Sequence, residues 1–199
     1  MAQAATKAGV GPMAAVAGVL ADLAVEDMIK AGASVAVVEN GGEASIASDR
    51  SLDVALLAGN HPVSGRFVFK LNHFPAGIAT SSAVFSHALS FGDAEAVTIF
   101  SSNAGLADAA ATAVCNQTRG SDHKTAARRA AEFALSIDGV HGVLVVCGNI
   151  VARAGHLPDI AEIRTPESAS KESNWSQGRL PTSSLKGHHP RASLSQNPV

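Results

Sequence analysis

The sequence predicts an α+β domain, with helices packed on a mostly antiparallel sheet. Two observations carry that expectation. Three segments have helical composition or period: Pro12–Ala31, Ala104–Asn116 and His123–Ser136. Between them lie short β-branched runs closed by glycine turns, which is how hairpins read.

The Ala104–Asn116 stretch is alanine-rich, free of Pro and free of Gly after Gly105, so propensity alone makes it helical. Ser102 or Asn103 can cap its start. Asp108 and Thr112 lie four residues apart on it, so they share a face with Cβ atoms roughly 5–6 Å apart. A carboxylate and a hydroxyl among alanines suit a hard cation such as Mg²⁺, which takes oxygen ligands and keeps waters or phosphate oxygens in its shell. The alternative is a buried helix whose Asp108 bonds a neighbouring loop and whose Thr112 bonds back to its own turn.

In Pro12–Ala31, Met13, Val16, Ala17, Leu20, Leu23, Ala24 and Met28 recur at three- and four-residue steps. They define the expected core face, with Asp22, Glu26 and Lys30 opposite. Pro12 marks the first turn and Gly32 the end. Gly9-Val10-Gly11-Pro12-Met13-Ala14 imitates a dinucleotide fingerprint, but no strand precedes it and Pro12 removes an N–H, which excludes a Rossmann reading. Ser34–Val38 is a strand, and Ala44–Ala47 resumes it after Glu39-Asn40-Gly41-Gly42-Glu43. Asn-Gly-Gly between strands predicts a hairpin, and two glycines also let a ligand approach the backbone.

Leu52–Leu57 and Phe67–Leu71 read as strands on either side of Gly59-Asn60-His61-Pro62. Asn72 to Ala94 shows no regular period and reads as a long, function-bearing loop rich in hydroxyls, with His73, His87 and Asp93. A serine hydrolase finds no support there, because no Gly-x-Ser-x-Gly elbow exists. Glu95–Phe100 is a strand leading into the alanine-rich helix. Asp122 or Thr125 opens the His123–Ser136 helix, and His141–Cys147 and Ile150–Arg153 are strands joined at Gly148-Asn149. Helix followed by glycine-turned hairpin therefore occurs twice, which hints at an internal duplication. Residues 1–163 are read as the domain and 164–199 as a disordered tail. Thr165–Val199 holds four of the eight prolines and the only Trp, and has no hydrophobic period.

Composition narrows the function. A net charge of −2, 4% aromatics and no Tyr exclude the basic, stacking surface of a nucleic-acid binder. Neither Cys-x-x-Cys nor His-Glu-x-x-His occurs, so structural zinc is not expected, and Cys115 and Cys147 read as buried thiols. No run reaches the roughly 18 apolar residues of a membrane span, and acidic residues follow too soon after Ala21 for a secretory leader. A cytoplasmic protein without membrane or nucleic-acid partners is expected.

These blocks occur in a telling order: Gly11-Pro12-Met13-Ala14-Ala15-Val16-Ala17-Gly18, then Glu39-Asn40-Gly41-Gly42-Glu43, Gly77-Ile78-Ala79-Thr80-Ser81-Ser82, Ser86-His87-Ala88-Leu89-Ser90 and Ala107-Asp108-Ala109-Ala110-Ala111-Thr112. In that order they resemble a bacterial and archaeal family related to the ApbE-type FAD:protein FMN transferases, formerly called thiamine biosynthesis lipoproteins. The likeness spans roughly Gly9 to Leu157, and its most specific parts are the Asp-Ala-x-x-Thr helix and the Gly-Gly turn. It implies Mg²⁺ at Asp108 and Thr112, held against the pyrophosphate of FAD, with a backbone carbonyl near Met13–Val19 assisting. It also implies flavin contacts at Asn40, Gly41, Gly42, Thr80, Ser81 and Ser82, and His87 as a catalytic group. The implied partners are a flavin nucleotide and an acceptor protein. Relative to the transferases the chain is expected to lack a segment before its first helix, and their aromatic and acidic flavin-site residues have no match here. Two functions follow as expectations: a Mg²⁺-dependent FMN transferase, or a non-catalytic binding or scaffold protein on the same fold.

Overall fold

The computed structural model describes residues 1–55, 65, 67–83 and 92–162. The sequence readings that fall on 56–64, 84–91 and 163–199 lie outside the described residues. Among these are the turn at Gly59–Pro62, His87 and the tail.

The described residues form four helices, α1 (Ala2–Ala8), α2 (Val16–Lys30), α3 (Ala104–Gln117) and α4 (His123–Ser136), with a 3₁₀ turn over Pro12–Ala15 ahead of α2. Nine strands accompany them in the described residues: β1 (Val35–Asn40), β2 (Glu43–Ser48), β3 (Leu52–Ala55), β4 (Phe67–Leu71), β5 (Ala76–Ser81), β6 (Ala96–Ser101), β7 (Val140–Cys147), β8 (Ile150–Gly155) and β9 (Asp159–Glu162). One six-stranded sheet runs β1-β2-β5-β6-β7-β8 and one three-stranded sheet runs β3-β4-β9, with every pairing antiparallel. The α+β expectation is thus met.

Side-chain alternation sorts the large sheet into two faces. Ala79, Val97, Ile99, Val143, Val145 and Cys147 pack with the alanines of α3 and α4, and Ile78, Phe100, Leu144 and Val146 pack with Phe69 and Leu71 of the small sheet. The layers are therefore helices, large sheet, small sheet. Phe69 meets Phe100 edge-on, ring centroids 4.8 Å apart.

Three expectations are corrected. Residues 72–94 are not one loop, because β5 lies inside them as an inner strand, bonded to β2 and β6. Gly77-Ile78-Ala79 is buried on both faces, so it carries no alternating pattern to read. The α-helix after Pro12 begins only at Val16, and α1, which was not expected, precedes it. Nor does α2 bury the predicted stripe: Gly18, Ala21 and Val25 face inward, whereas Met13, Leu20 and Leu23 are more than half exposed. Small residues let α2 lie close against α3, and that closeness outweighs burial of the larger side chains.

Cys115 and Cys147 are buried and form no disulfide. Among the described residues no single helix is long and apolar enough to cross a membrane.

Candidate functional site around Asp108

Strand β6 delivers the chain into α3 through a register shift at Phe100/Ser101, where the Ser101 hydroxyl donates to the Gly139 carbonyl at 2.9 Å. Asn103 then caps the helix, accepting from the Leu106 N–H at 2.8 Å, as its position predicts. Ten of the fourteen residues of α3 are buried. Asp108 and Thr112 are the half-buried polar positions on its middle turns.

Asp108 faces α2. Its Oδ2 accepts the backbone N–H of Gly18 at 3.0 Å. That approach requires glycine, since a Cβ at residue 18 would stand 2.3 Å from the Ala104 carbonyl oxygen and 2.9 Å from Asp108 Cβ. One residue earlier on α2, the Ala17 carbonyl accepts Asn40 Nδ2 at 3.2 Å, which ties the β1–β2 hairpin to the same end of the helix. The hairpin loop is Gly41-Gly42, with φ of 76° and 113°, values that disfavour any side chain. The Glu39 carboxylate accepts the Gly42 N–H at 2.8 Å.

Three residues outside the predicted site, Glu43, Ser45 and Asp22, complete the cluster. Glu43 and Ser45 point from β2 to the helix side. The Ser45 hydroxyl donates to Asp22 Oδ1 at 2.7 Å, and Asp22 also accepts the N–H groups of Ala104 and Gly105 at 2.9 and 2.8 Å. The helical period puts Asp22 on the side opposite the expected core face, whereas the structure turns it toward β2 and α3. Its spacing of one turn from Gly18, on the face with Ala21 and Val25, was the available signal.

Electrostatics distinguish these carboxyls. Burial pushes the Glu43 carboxyl up to about 7, and the negative charge of Asp108 adds to the shift. Asp108 is also raised by burial, against which the Gly18 N–H pulls it down. None of Asp22, Glu43 and Asp108 joins a salt bridge among the described residues.

Not every predicted residue reaches this cluster. Asn40, Gly41 and Gly42 do, through the hairpin. Thr80 does so only by its backbone, since a Cβ on Gly42 would lie 3.6 Å from the Thr80 carbonyl oxygen. The Thr80 hydroxyl bonds Thr98 across the sheet at 2.9 Å, and Thr80 alternates with Ala79, so its side chain lies on the face away from α3. Ser81 shares the helix-side face, Ser82 follows the strand half-buried, and His87 lies outside the described residues.

The donor set is oxygen only, which fits a hard divalent ion. Among the described residues no group of three His, Cys, Asp or Glu is arranged to hold a metal. A cation at Asp108 and Thr112 would therefore need ligand or water oxygens for the rest of its shell. Two desolvated carboxyls without a basic partner among the described residues are the feature such an ion would neutralise.

Fold and site together define an ApbE-like α+β domain: a small-residue helix offers a carboxylate to a glycine-built helix start, beside a Gly-Gly hairpin. The family model described as AbpE bacteria matches residues 1–151, and the chain belongs to that family. It is similar to archaeal UPF0280 proteins. One, from Methanopyrus kandleri, is 43% identical over 167 residues, covering 82% of this chain and 67% of the relative. Another, from Methanoculleus marisnigri, is 45% identical over 169 residues, covering 84% and 67%. The crystal structure of the ApbE protein from Thermotoga maritima shares the fold, with a TM-score of 0.51 and 19% identity over 69% of this chain and 48% of that one. The chain thus spans about two thirds of the length of these archaeal relatives and about half that of the solved structure.

Proposed function

We propose that this domain binds a flavin dinucleotide through a divalent cation of the Mg²⁺ type, held at Asp108 and Thr112, and transfers FMN from FAD to an acceptor protein. The observation that carries the reading is the Asp108 carboxylate, half-buried, bonded to the Gly18 N–H and facing Glu43 with no basic partner among the described residues. Such a carboxylate favours a cation that brings its own oxygen ligands, and a diphosphate supplies them. The family resemblance supplies the flavin and the acceptor.

In this reading the Gly41-Gly42 loop lets the ligand approach the backbone. Asn40 fixes the loop against α2, and Ser81 lies on the same face of the sheet as α3. In the transfer, an acceptor hydroxyl oxygen bonds to the phosphorus of the FMN half, and the phosphorus–oxygen bond to AMP breaks. AMP leaves with the bridging oxygen, and the hydroxyl proton passes to a base. A bound cation would supply neutralisation of the diphosphate and of the leaving nucleotide.

The test is to incubate the protein with FAD, Mg²⁺ and a candidate acceptor, and to follow AMP. Release of AMP, lost in Asp108→Ala, supports the transferase. Retention of intact FAD that depends on Asp108 supports the binding protein instead. Mg²⁺ and FAD affinities that Asp108→Ala leaves unchanged would remove the site.

A further inference from the structure

We infer that Asp22 is a positioning residue of this site: its carboxylate fixes where α3 begins relative to α2 and β2, and thereby where Asp108 stands. The inference rests on the reading of Asp108 given above. Asp22 accepts three hydrogen bonds from two other elements, the N–H groups of Ala104 and Gly105 at 2.9 and 2.8 Å and the Ser45 hydroxyl at 2.7 Å. Those elements, with α2 itself, carry the carboxyl groups of the cluster and the N–H that Asp108 accepts: α2 holds Gly18 and Asp22, α3 holds Asp108, and β2 holds Glu43.

An ordinary cap does not account for this arrangement. Asn103 already caps α3 locally through Leu106. Asp22 is 82 and 83 residues away from the N–H groups it accepts. First-turn N–H groups point along the helix axis, so bonding them from a second helix fixes the axial position of α3. Lateral position is fixed separately by close glycine contacts. A Cβ at Gly18 would meet the Ala104 carbonyl oxygen at 2.3 Å, and one at Gly105 would meet Val19 Cγ2 at 2.5 Å. Sliding along the axis is the freedom the glycines leave, and Asp22 removes it. The negative charge also suits the positive end of α3. In Asp22→Asn the amide keeps one acceptor and turns an NH₂ toward the other N–H, so the shape is preserved while half the clamp is lost.

The probe is Mn²⁺ alone, titrated at equilibrium against wild type, Asp108→Ala, Asp22→Asn and Val25→Ala. Val25 is buried on α2 outside the cluster, so its truncation reports what loss of stability alone does to affinity. Asp22→Asn should weaken Mn²⁺ about tenfold or more, the usual effect of losing an outer-shell support. Val25→Ala should stay at the wild-type value. Hydrogen exchange at the Ala104 and Gly105 amides should quicken in Asp22→Asn without quickening along the rest of α3. Wild-type Mn²⁺ affinity in folded Asp22→Asn overturns the inference, as does an equal loss in Val25→Ala. Equal affinity of wild type and Asp108→Ala instead sinks the cation reading. In that case unchanged exchange at Ala104 and Gly105 overturns the positioning role as well, and quickened exchange upholds the clamp on α3.

Discussion

Replacing Gly18 with alanine sets two effects of opposite sign against each other. Glycine inside a helix costs about 1 kcal/mol relative to alanine, so propensity alone predicts that Gly18→Ala stabilises α2. The structure predicts the reverse. The new Cβ would lie 2.3 Å from the Ala104 carbonyl oxygen, 2.6 Å from its carbon and 2.9 Å from Asp108 Cβ. The first two are backbone atoms and cannot rotate away, so α2 and α3 must separate by about 1 Å to restore ordinary contact. Overpacking of this kind costs about 1–3 kcal/mol. Separation also stretches the Gly18 N–H bond to Asp108, and a hydrogen bond to a charged acceptor is worth about 1.5–3 kcal/mol. After the propensity gain is subtracted, a net loss of roughly 2–3 kcal/mol remains. For a domain of this size that is a fall in Tm of about 5–10 °C, read by calorimetry or by urea denaturation at constant m-value. A Gly18→Ala protein as stable as wild type, or more stable, would refute the close packing of these helices.

Three further predictions concern the cluster. Glu43 is raised from 4.5 to about 7 in the folded protein, so between those values the native state holds a proton that the unfolded chain releases. Its contribution is complete below about pH 4.5 and is lost as pH rises through 7. The unscreened shift corresponds to roughly 3 kcal/mol, but solvent reaches this half-buried group, and about 1 kcal/mol is expected. Glu43→Gln should therefore be the more stable protein at pH 8 and match wild type near pH 4.5. Parallel urea curves across that range would show otherwise if the carboxyl is unperturbed. Asn40→Ala removes one exposed tether to the Ala17 carbonyl, so stability should change by about 0.5 kcal/mol, while FAD affinity measured with Mg²⁺ should fall about fivefold. An unchanged FAD affinity would detach the hairpin from the ligand. FAD binding itself should need the divalent ion, and a FAD affinity that survives EDTA would contradict the cation's role.

The parts of this fold legible in the sequence are those set by neighbours along the chain. Alanine content gave α3 to within one residue at its end, Asn103 its cap, and Asn-Gly-Gly the hairpin loop at Gly41-Gly42. What was not legible depends on distant partners. Strand β5 shows no alternation because it is covered by helices on one face and by the small sheet on the other. Strand β9 is four residues that become a strand by pairing with β4. The periodicity of α2 is real but does not reveal which face is buried: Leu20 and Leu23 are exposed because the backbone contact made possible by Gly18 turns the small face inward. The site divides in the same way. Asp108 stands out locally as the lone acid of an alanine helix, whereas Asp22 and Glu43 acquire meaning only from contacts across α2, α3 and β2.

The three carboxylates of the cluster are not equivalent, and the difference separates structure from chemistry. Asp22 has three donors within 2.9 Å and stands at the positive end of a helix, so its charge is met by the fold itself. Among the described residues Asp108 has a single N–H donor, that of Gly18, and burial raises its pKa despite that bond. Glu43 is raised to about 7, first by burial and then by facing Asp108, and its own backbone N–H pulls it down in part. Left as they are, two desolvated, mutually repelling carboxyls lower the stability of the domain, and a neutral amide at residue 43 would relieve it. A bare diphosphate brought to the same place would add to the repulsion. A divalent ion changes the sign of both interactions, since it attracts the carboxylates and the phosphates together. Asp108 and Glu43, without a basic partner among the described residues, are thus the carboxylates a bound cation would neutralise, and Asp22, with three donors of its own, is the one placed to hold α2, α3 and β2 together.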